Sequence, residues 1–297
     1  MNKKRIALSL VLIVAIAAAV VSLLRNGSHI TNTSGKLSVS ASYYPLYDFA
    51  KQVGGDKAII TNITPAGAEP HDYEPTPRSL ARAQQSDVFI YNGGHMEPWT
   101  DAFAQDYKHT LVKASRGIEL RDGQDPHFWL HPALASQIVN NIRDGFATAD
   151  PAHAEYYVQN ARAYNDKLWA LEKDYSKGLR ACSNDTVISS HEAFGYVADR
   201  YNFKVEAIAG ISTEEEPSAA RLAEITRIAQ DKKLKYIFFE SLVSPRLADT
   251  IARETGAKTL VFDPIEGLTN EDQKQGKDYL RVQRENLQAL RTALACS

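Results

Sequence analysis

The sequence predicts an α/β protein of two lobes, each a mainly parallel β-sheet flanked by helices, joined by one long spine helix. Three observations carry this. Short apolar runs alternate with amphipathic stretches through both halves, the pattern of βαβ units. Between Pro151 and Leu179 the apolar positions Tyr157, Ala161, Tyr164, Leu168, Leu171, Tyr175 and Leu179 recur at spacings of four and three, one stripe on a continuous helix of roughly 43 Å. Histidines and acidic residues repeatedly follow the ends of strand patterns, where open parallel sheets bind ligands.

The chain begins with Lys3-Lys4-Arg5 and then 19 uncharged, mostly apolar residues, Ile6 to Leu24, ended by Arg25. As a helix this run spans roughly 28 Å, close to the hydrocarbon thickness of a bilayer. Residues 1–25 therefore read as a membrane segment whose basic flank stays in the cytoplasm, which puts the rest of the chain outside. The run is longer than a signal-peptide core and lacks a clean small-x-small site at its end, so an anchor is expected; cleavage would leave a secreted or periplasmic protein. Residues 26–35, rich in Gly, Ser, Thr and Asn, form a tether.

The first lobe is expected at 36–148. Its strands are Leu37–Ser42, Ala58–Ile63, Val88–Tyr91 and Thr110–Lys113, with helices at Leu46–Val53, Pro77–Gln85 (capped by Thr76), Trp99–Ala104 and Pro132–Ala147. The spine occupies 149–180. The second lobe, 181–297, repeats the alternation. Strands fall at Thr186–Ser190, Lys204–Ala209, Tyr236–Phe239 and Thr259–Phe262, and helices at Glu192–Tyr201, Pro217–Gln230, Pro245–Thr255 and Asp272–Leu294.

Lys and Arg number 34 against 36 Asp and Glu, so there is no basic excess of the kind nucleic-acid binding needs. The two cysteines, Cys182 and Cys296, can form a disulfide in an exported chain or remain as two free thiols.

The chemistry gathers around Glu69-Pro70-His71-Asp72-Tyr73-Glu74-Pro75. Prolines keep this run out of a helix and present the imidazole from a stiff loop. Alone, His71 is as well read as a solvated surface residue; the pattern's recurrence gives it weight. His127 also follows the strands of the first half, His191 directly follows Thr186–Ser190, and Glu266 lies just past Thr259–Phe262. Three imidazoles and one carboxylate make a four-coordinate set suited to Zn²⁺. Glu240, Asp263 and His95 end strands or lie on the same rim and are candidates for the shell around it. Binding by histidines is expected to weaken below about pH 6.

These motifs, with Gly93 to Trp99, Asp125-Pro126-His127-Phe128-Trp129, Ser190-His191-Glu192-Ala193-Phe194-Gly195-Tyr196, Glu216-Pro217-Ser218 and Pro264 to Thr269, make the chain from Lys36 onward resemble the zinc and manganese solute-binding proteins of bacterial ABC importers. The resemblance implies two βα lobes with metal between them, held by His71, His127, His191 and, as in zinc members with this ending, Glu266. It implies a Cys182–Cys296 bridge, and as partners an ABC permease and its ATPase, served by a monomer. His131 departs from the family pattern; flanked by Pro126 and Pro132, it is read as the cap of the next helix rather than a ligand. Relatives are often lipid-anchored, but no cysteine precedes Cys182, so the Ile6–Leu24 segment takes over that role. Three rivals stand beside zinc capture. The same fold could bind Mn²⁺ or Fe²⁺ with Asp263 adding an oxygen, the site could be a zinc hydrolase, or the protein a surface adhesin.

Overall fold

Four parallel strands from the first half, β1 (Leu37–Ala41), β2 (Ala58–Asn62), β3 (Val88–Tyr91) and β4 (Thr110–Lys113), form one sheet in the order β2-β1-β3-β4. The computed structural model describes residues 35–94, 96–212 and 216–297, so the expected membrane segment, most of the tether and His95 lie outside the described residues. Central β3, Val-Phe-Ile-Tyr, is buried at every position, as a parallel strand covered on both faces should be. Edge strand β2 alternates instead, leaving Ile59 47% exposed. Helices α1 (Tyr44–Gly54), α2 (Pro77–Ala83), α3 (Thr100–Asp106) and α4 (Pro132–Ala149) accompany this sheet. The Thr76 side chain accepts from the Ser79 amide with Pro77 in the first turn, so α2 starts where its cap dictates.

The second half contributes two parallel pairs, β5 (Thr186–Ser189) with β6 (Lys204–Ala207) and β7 (Tyr236–Phe239) with β8 (Lys258–Val261). Between the two sets runs α5 (Ala154–Gly178). Its α-helical part is about 37 Å long, shorter than the expected 43 Å because Pro151–His153 forms a separate 3-10 turn. All seven residues of its stripe are buried. Near its start, Asn160 donates to the Val53 carbonyl (3.0 Å) and Tyr164 to Asp48 (3.3 Å) on α1. Near its end, Tyr175 donates to the Gln283 backbone (2.9 Å) on the last helix. One apolar core consequently runs from Leu37 to Leu294 through both sets of strands.

Helices α6 (Gly195–Tyr201) and α8 (Arg246–Thr255) fall within the expected stretches, and α7 (Ala219–Asp231) runs one residue past the expected Gln230. The expected single final helix is instead two, α9 (Asn270–Lys274) and α10 (Tyr279–Ala293). Gly276 turns the chain at φ +64°, and Asp278 caps α10 by accepting from the Arg281 amide. Lys277 pairs with Asp272 at 3.0 Å and Glu285 at 2.8 Å, holding the two helices across that turn. Cys182 and Cys296 form a disulfide that closes the chain end onto the start of its second half. Among the described residues no helix is long and apolar enough to cross a membrane.

Candidate metal centre

Each site side chain stands in the connection that follows a strand. His71 stands in a turn between β2 and α2, where its amide donates to Glu69 Oε1 (3.3 Å). His127 opens a 3-10 turn, Phe128–Leu130, that leads into α4. Two residues after β5 comes His191, its amide donating to Glu240 Oε1 (3.1 Å). Glu266 lies in the connection after β8, behind Ile265, whose left-handed φ of +58° costs of order 1–3 kcal/mol. That turn is fastened from several sides. Asp263 Oδ1 accepts from the Ile265 amide (2.7 Å), Asn286 on α10 bonds the backbone of Asp263 in both directions, and Trp129 Nε1 donates to the Pro264 carbonyl (2.8 Å).

These four connections bring four ligand atoms together. His127 Nε2 lies 3.3 Å from His71 Nε2 and 3.4 Å from His191 Nε2. Glu266 Oε1 lies 3.5, 3.3 and 3.2 Å from the Nε2 atoms of His71, His127 and His191. All four residues are buried, and their ligand atoms fall within 4.8 Å of one another. A tetrahedron with bonds of about 2.05 Å has corners about 3.3 Å apart, so these separations fit one small cation at the centre.

The chemistry of the set calls for positive charge. His127 Nδ1 is 2.8 Å from Asp125 Oδ1, and His191 Nδ1 is 2.8 Å from both oxygens of Glu240. A ring that donates from Nδ1 to a carboxylate turns the lone pair of Nε2 inward, toward Glu266, which itself only accepts. Neither oxygen of Glu266 has a hydrogen-bond partner of normal geometry although the residue is fully enclosed. Burial would lower the His127 pKa, but Asp125 and Glu266 outweigh it and the pKa rises. The same holds for His191, where Glu240 and Glu266 raise it far above the ordinary histidine range despite burial. Burial alone would raise the Glu266 pKa; the three histidines instead hold it well below the usual carboxylate range. Glu69 is pushed up to about 10 by burial and by the charge of Glu266, which keeps it neutral beside the site.

Asp263 is not among the converging atoms. Its carboxylate serves the backbone of the Glu266 turn, and burial pushes its pKa up to about 6. His131 Nδ1 accepts from the Ala133 amide (3.1 Å) at the start of α4, so it is a helix cap and not one of the converging residues. Asp125 behind His127 was not singled out from the sequence, although an acid two residues before a histidine, across a proline, is a visible signal. Glu97 was also missed. It is buried beneath the His127 connection, held by Ser42 and the Asn92 amide, and Asn92 in turn donates to the Pro126 carbonyl (2.9 Å).

Residues 39–293 match the family described as ZnuA, zinc-uptake complex component A, periplasmic. The chain belongs to this family. It is 38% identical over 280 residues to the high-affinity zinc uptake system protein ZnuA of Bacillus subtilis, covering 87% of this chain and 88% of the relative. With the zinc-binding lipoprotein AdcA of Streptococcus pneumoniae it shares 39% over 278 residues, 86% of this chain but 56% of AdcA, so it spans about half the length of that relative. Among solved structures, the Zn(II)-bound ZnuA-like domain of that AdcA superimposes with a TM-score of 0.79 at 40% identity, over 88% of this chain and 99% of the domain. The ZnuA family thus accounts for the α/β architecture and its parallel sheets.

Proposed function

We propose that this protein captures Zn²⁺ outside the cytoplasmic membrane and delivers it to an ABC permease driven by its ATPase. The cargo ion is bound by Nε2 of His71, His127 and His191 and by Oε1 of Glu266. The observation that carries the reading is metric: five separations between 3.2 and 3.5 Å match the edge of a tetrahedron built for zinc bonds. Three neutral imidazoles and one carboxylate favour zinc over manganese or ferrous iron, which take more oxygen, and the turned-away carboxylate of Asp263 leaves that reading without its extra ligand. Four protein ligands would also complete a tetrahedral shell, which favours this reading over a hydrolase, whose metal keeps a position for an activated water.

In this reading residues 36–148 and 181–297 are the lobes about the spine, and the Ile6–Leu24 segment anchors a monomer to the membrane. A core continuous through both sets of strands supports small tilts on metal release rather than wide closure. The test is to purify the exported part without added metal, count metals by elemental analysis, and titrate the stripped protein with Zn²⁺ and Mn²⁺ against a competing chelator. One tightly held zinc per chain and weak manganese binding are expected. Manganese preference, or no metal at stoichiometric level, would overturn the proposal.

A further inference from the structure

We propose that Arg121 is a positioning residue for zinc capture, its guanidinium holding Asp125, behind His127, in register with Glu192, next to His191; this rests on the metal-binding reading above. Arg121 opens a 3-10 turn, Arg121–Gly123, ahead of the His127 connection. Its Nε lies 2.9 Å from Asp199 Oδ2 on α6, and its Nη1 lies 3.1 Å from Asp122, 3.5 Å from Glu192 Oε1 and 3.7 Å from Asp125 Oδ2. Two of these acids have a direct connection to the site. Asp125 spends Oδ1 on the amide and Nδ1 of His127, and Glu192 is the residue after His191.

The position of Asp125 makes the guanidinium matter. The residue is 1% exposed, and its Oδ2 has no hydrogen-bond partner, so the facing charge of Arg121 is what compensates it. A carboxylate left uncompensated there would favour rotation away from its buried position, and His127 would then lose the acceptor that fixes its tautomer. With the proton on Nε2 the ring would point a donor at the cation. The backbone closes the same loop: the Arg121 amide donates to Tyr196 Oη (2.8 Å), and the Tyr196 hydroxyl donates to the Asp125 carbonyl (2.7 Å).

Gly195, at the start of α6, admits this arrangement. A Cβ there would stand 2.6 Å from Nη1 and 2.8 Å from Cζ of Arg121, so the guanidinium lies against bare backbone. An exposed ion pair contributes little by itself. Here one planar fork must reach carboxylates on two separate segments, 121–125 and 192–199, which a point charge on a lysine does poorly.

The test compares Arg121→Gln, Arg121→Lys and Gly195→Ala with wild type, and uses Arg200→Gln as control because Arg200 pairs with Glu172 (2.6 Å) away from the four ligands. Zinc affinity is measured by chelator competition, and the His127 tautomer by nitrogen-15 NMR of the metal-free protein at a pH where the ring is neutral. Arg121→Gln should weaken zinc about tenfold, the low end of the range for groups bonded to a ligand because it acts through Asp125, and lower the share of His127 protonated at Nδ1. Arg121→Lys should restore only part of the affinity. Gly195→Ala favours the helix over glycine yet should weaken zinc about tenfold by displacing the guanidinium, so it tests the idea even if Arg121→Gln fails to fold. Wild-type affinity and tautomer in Arg121→Gln, wild-type affinity in both Arg121→Lys and Gly195→Ala, or an equal loss in Arg200→Gln would overturn the role. Loss of zinc binding in the wild type would instead overturn the metal reading itself.

Discussion

Replacing Glu240 with glutamine tests how the protein prepares an imidazole for metal. Glu240 is buried, with both oxygens 2.8 Å from His191 Nδ1 and Oε1 also accepting from the His191 amide. Glutamine keeps the shape but brings an NH₂ group where two donors already point, so one hydrogen bond is lost or the ring changes tautomer. A hydrogen bond to a charged group contributes about 1.5–3 kcal/mol and a neutral one about 0.5–1.5, so the loss of about 1–2 kcal/mol weakens zinc roughly 5- to 30-fold. A second effect opposes it. Glu240 raises the His191 pKa, so in wild type the metal must displace a firmly held proton, and Glu240→Gln loosens that proton. The two effects separate with pH. Chelator competition between pH 6 and 9 should show the largest loss at the alkaline end, where proton competition is weakest, and a shallower rise of affinity with pH in the variant. Equal slopes together with affinities within twofold at pH 9 would refute the reasoning.

Other outcomes follow from the same structure. In wild type the raised pKa values of His127 and His191 should make zinc affinity begin to fall above pH 6.5, earlier than the histidine expectation of about pH 6, as competition titrations at closely spaced pH would record. The metal-free protein should be most stable in mildly acid solution. His127 and His191, with raised pKa values, stabilise fully below about 6.5 and lose that contribution as pH rises through their folded values, and Glu97, pushed up to about 7 by burial, acts in the same direction between about 4.5 and 7, a window worth about 3 kcal/mol. Denaturant melts should lose much of this slope in Glu97→Gln and in zinc-saturated protein. Below pH 4.5 the sign reverses, because Glu266, whose pKa is held low, loses its stabilising charge as pH falls. Reducing the Cys182–Cys296 disulfide, which closes 114 residues of sequence separation, should lower stability by up to about 4–5 kcal/mol with zinc stoichiometry unchanged, measured by denaturation with and without reductant.

Much of the fold was legible because parallel strands leave simple marks. Strands β3, β4 and β7 occupy the residues expected, since each is a short apolar or β-branched run bounded by polar residues. The spine was legible from its stripe. The final helix was misjudged because the apolar stripe of Leu280, Leu287 and Leu290 hides the break, whose signals are only Gly276 and the cap Asp278. His71, His127, His191 and Glu266 stood out as candidates because the alternation says which positions follow strands. Their separations of 3.2 to 3.5 Å belong to tertiary packing and cannot be read from spacing. Arg121 was invisible for the same reason: its partners Glu192 and Asp199 lie 71 and 78 residues away.

The central claim is that three imidazoles and one carboxylate oxygen surround a single zinc ion. X-ray absorption of the zinc-loaded protein tests it most directly, because imidazole rings scatter recognisably and can be counted. Three imidazoles and one oxygen at about 2.0–2.1 Å are expected, with one imidazole fewer in each single histidine-to-alanine variant. Two or fewer imidazoles in the wild type, or a shell of five or six oxygen-rich ligands, would contradict the account.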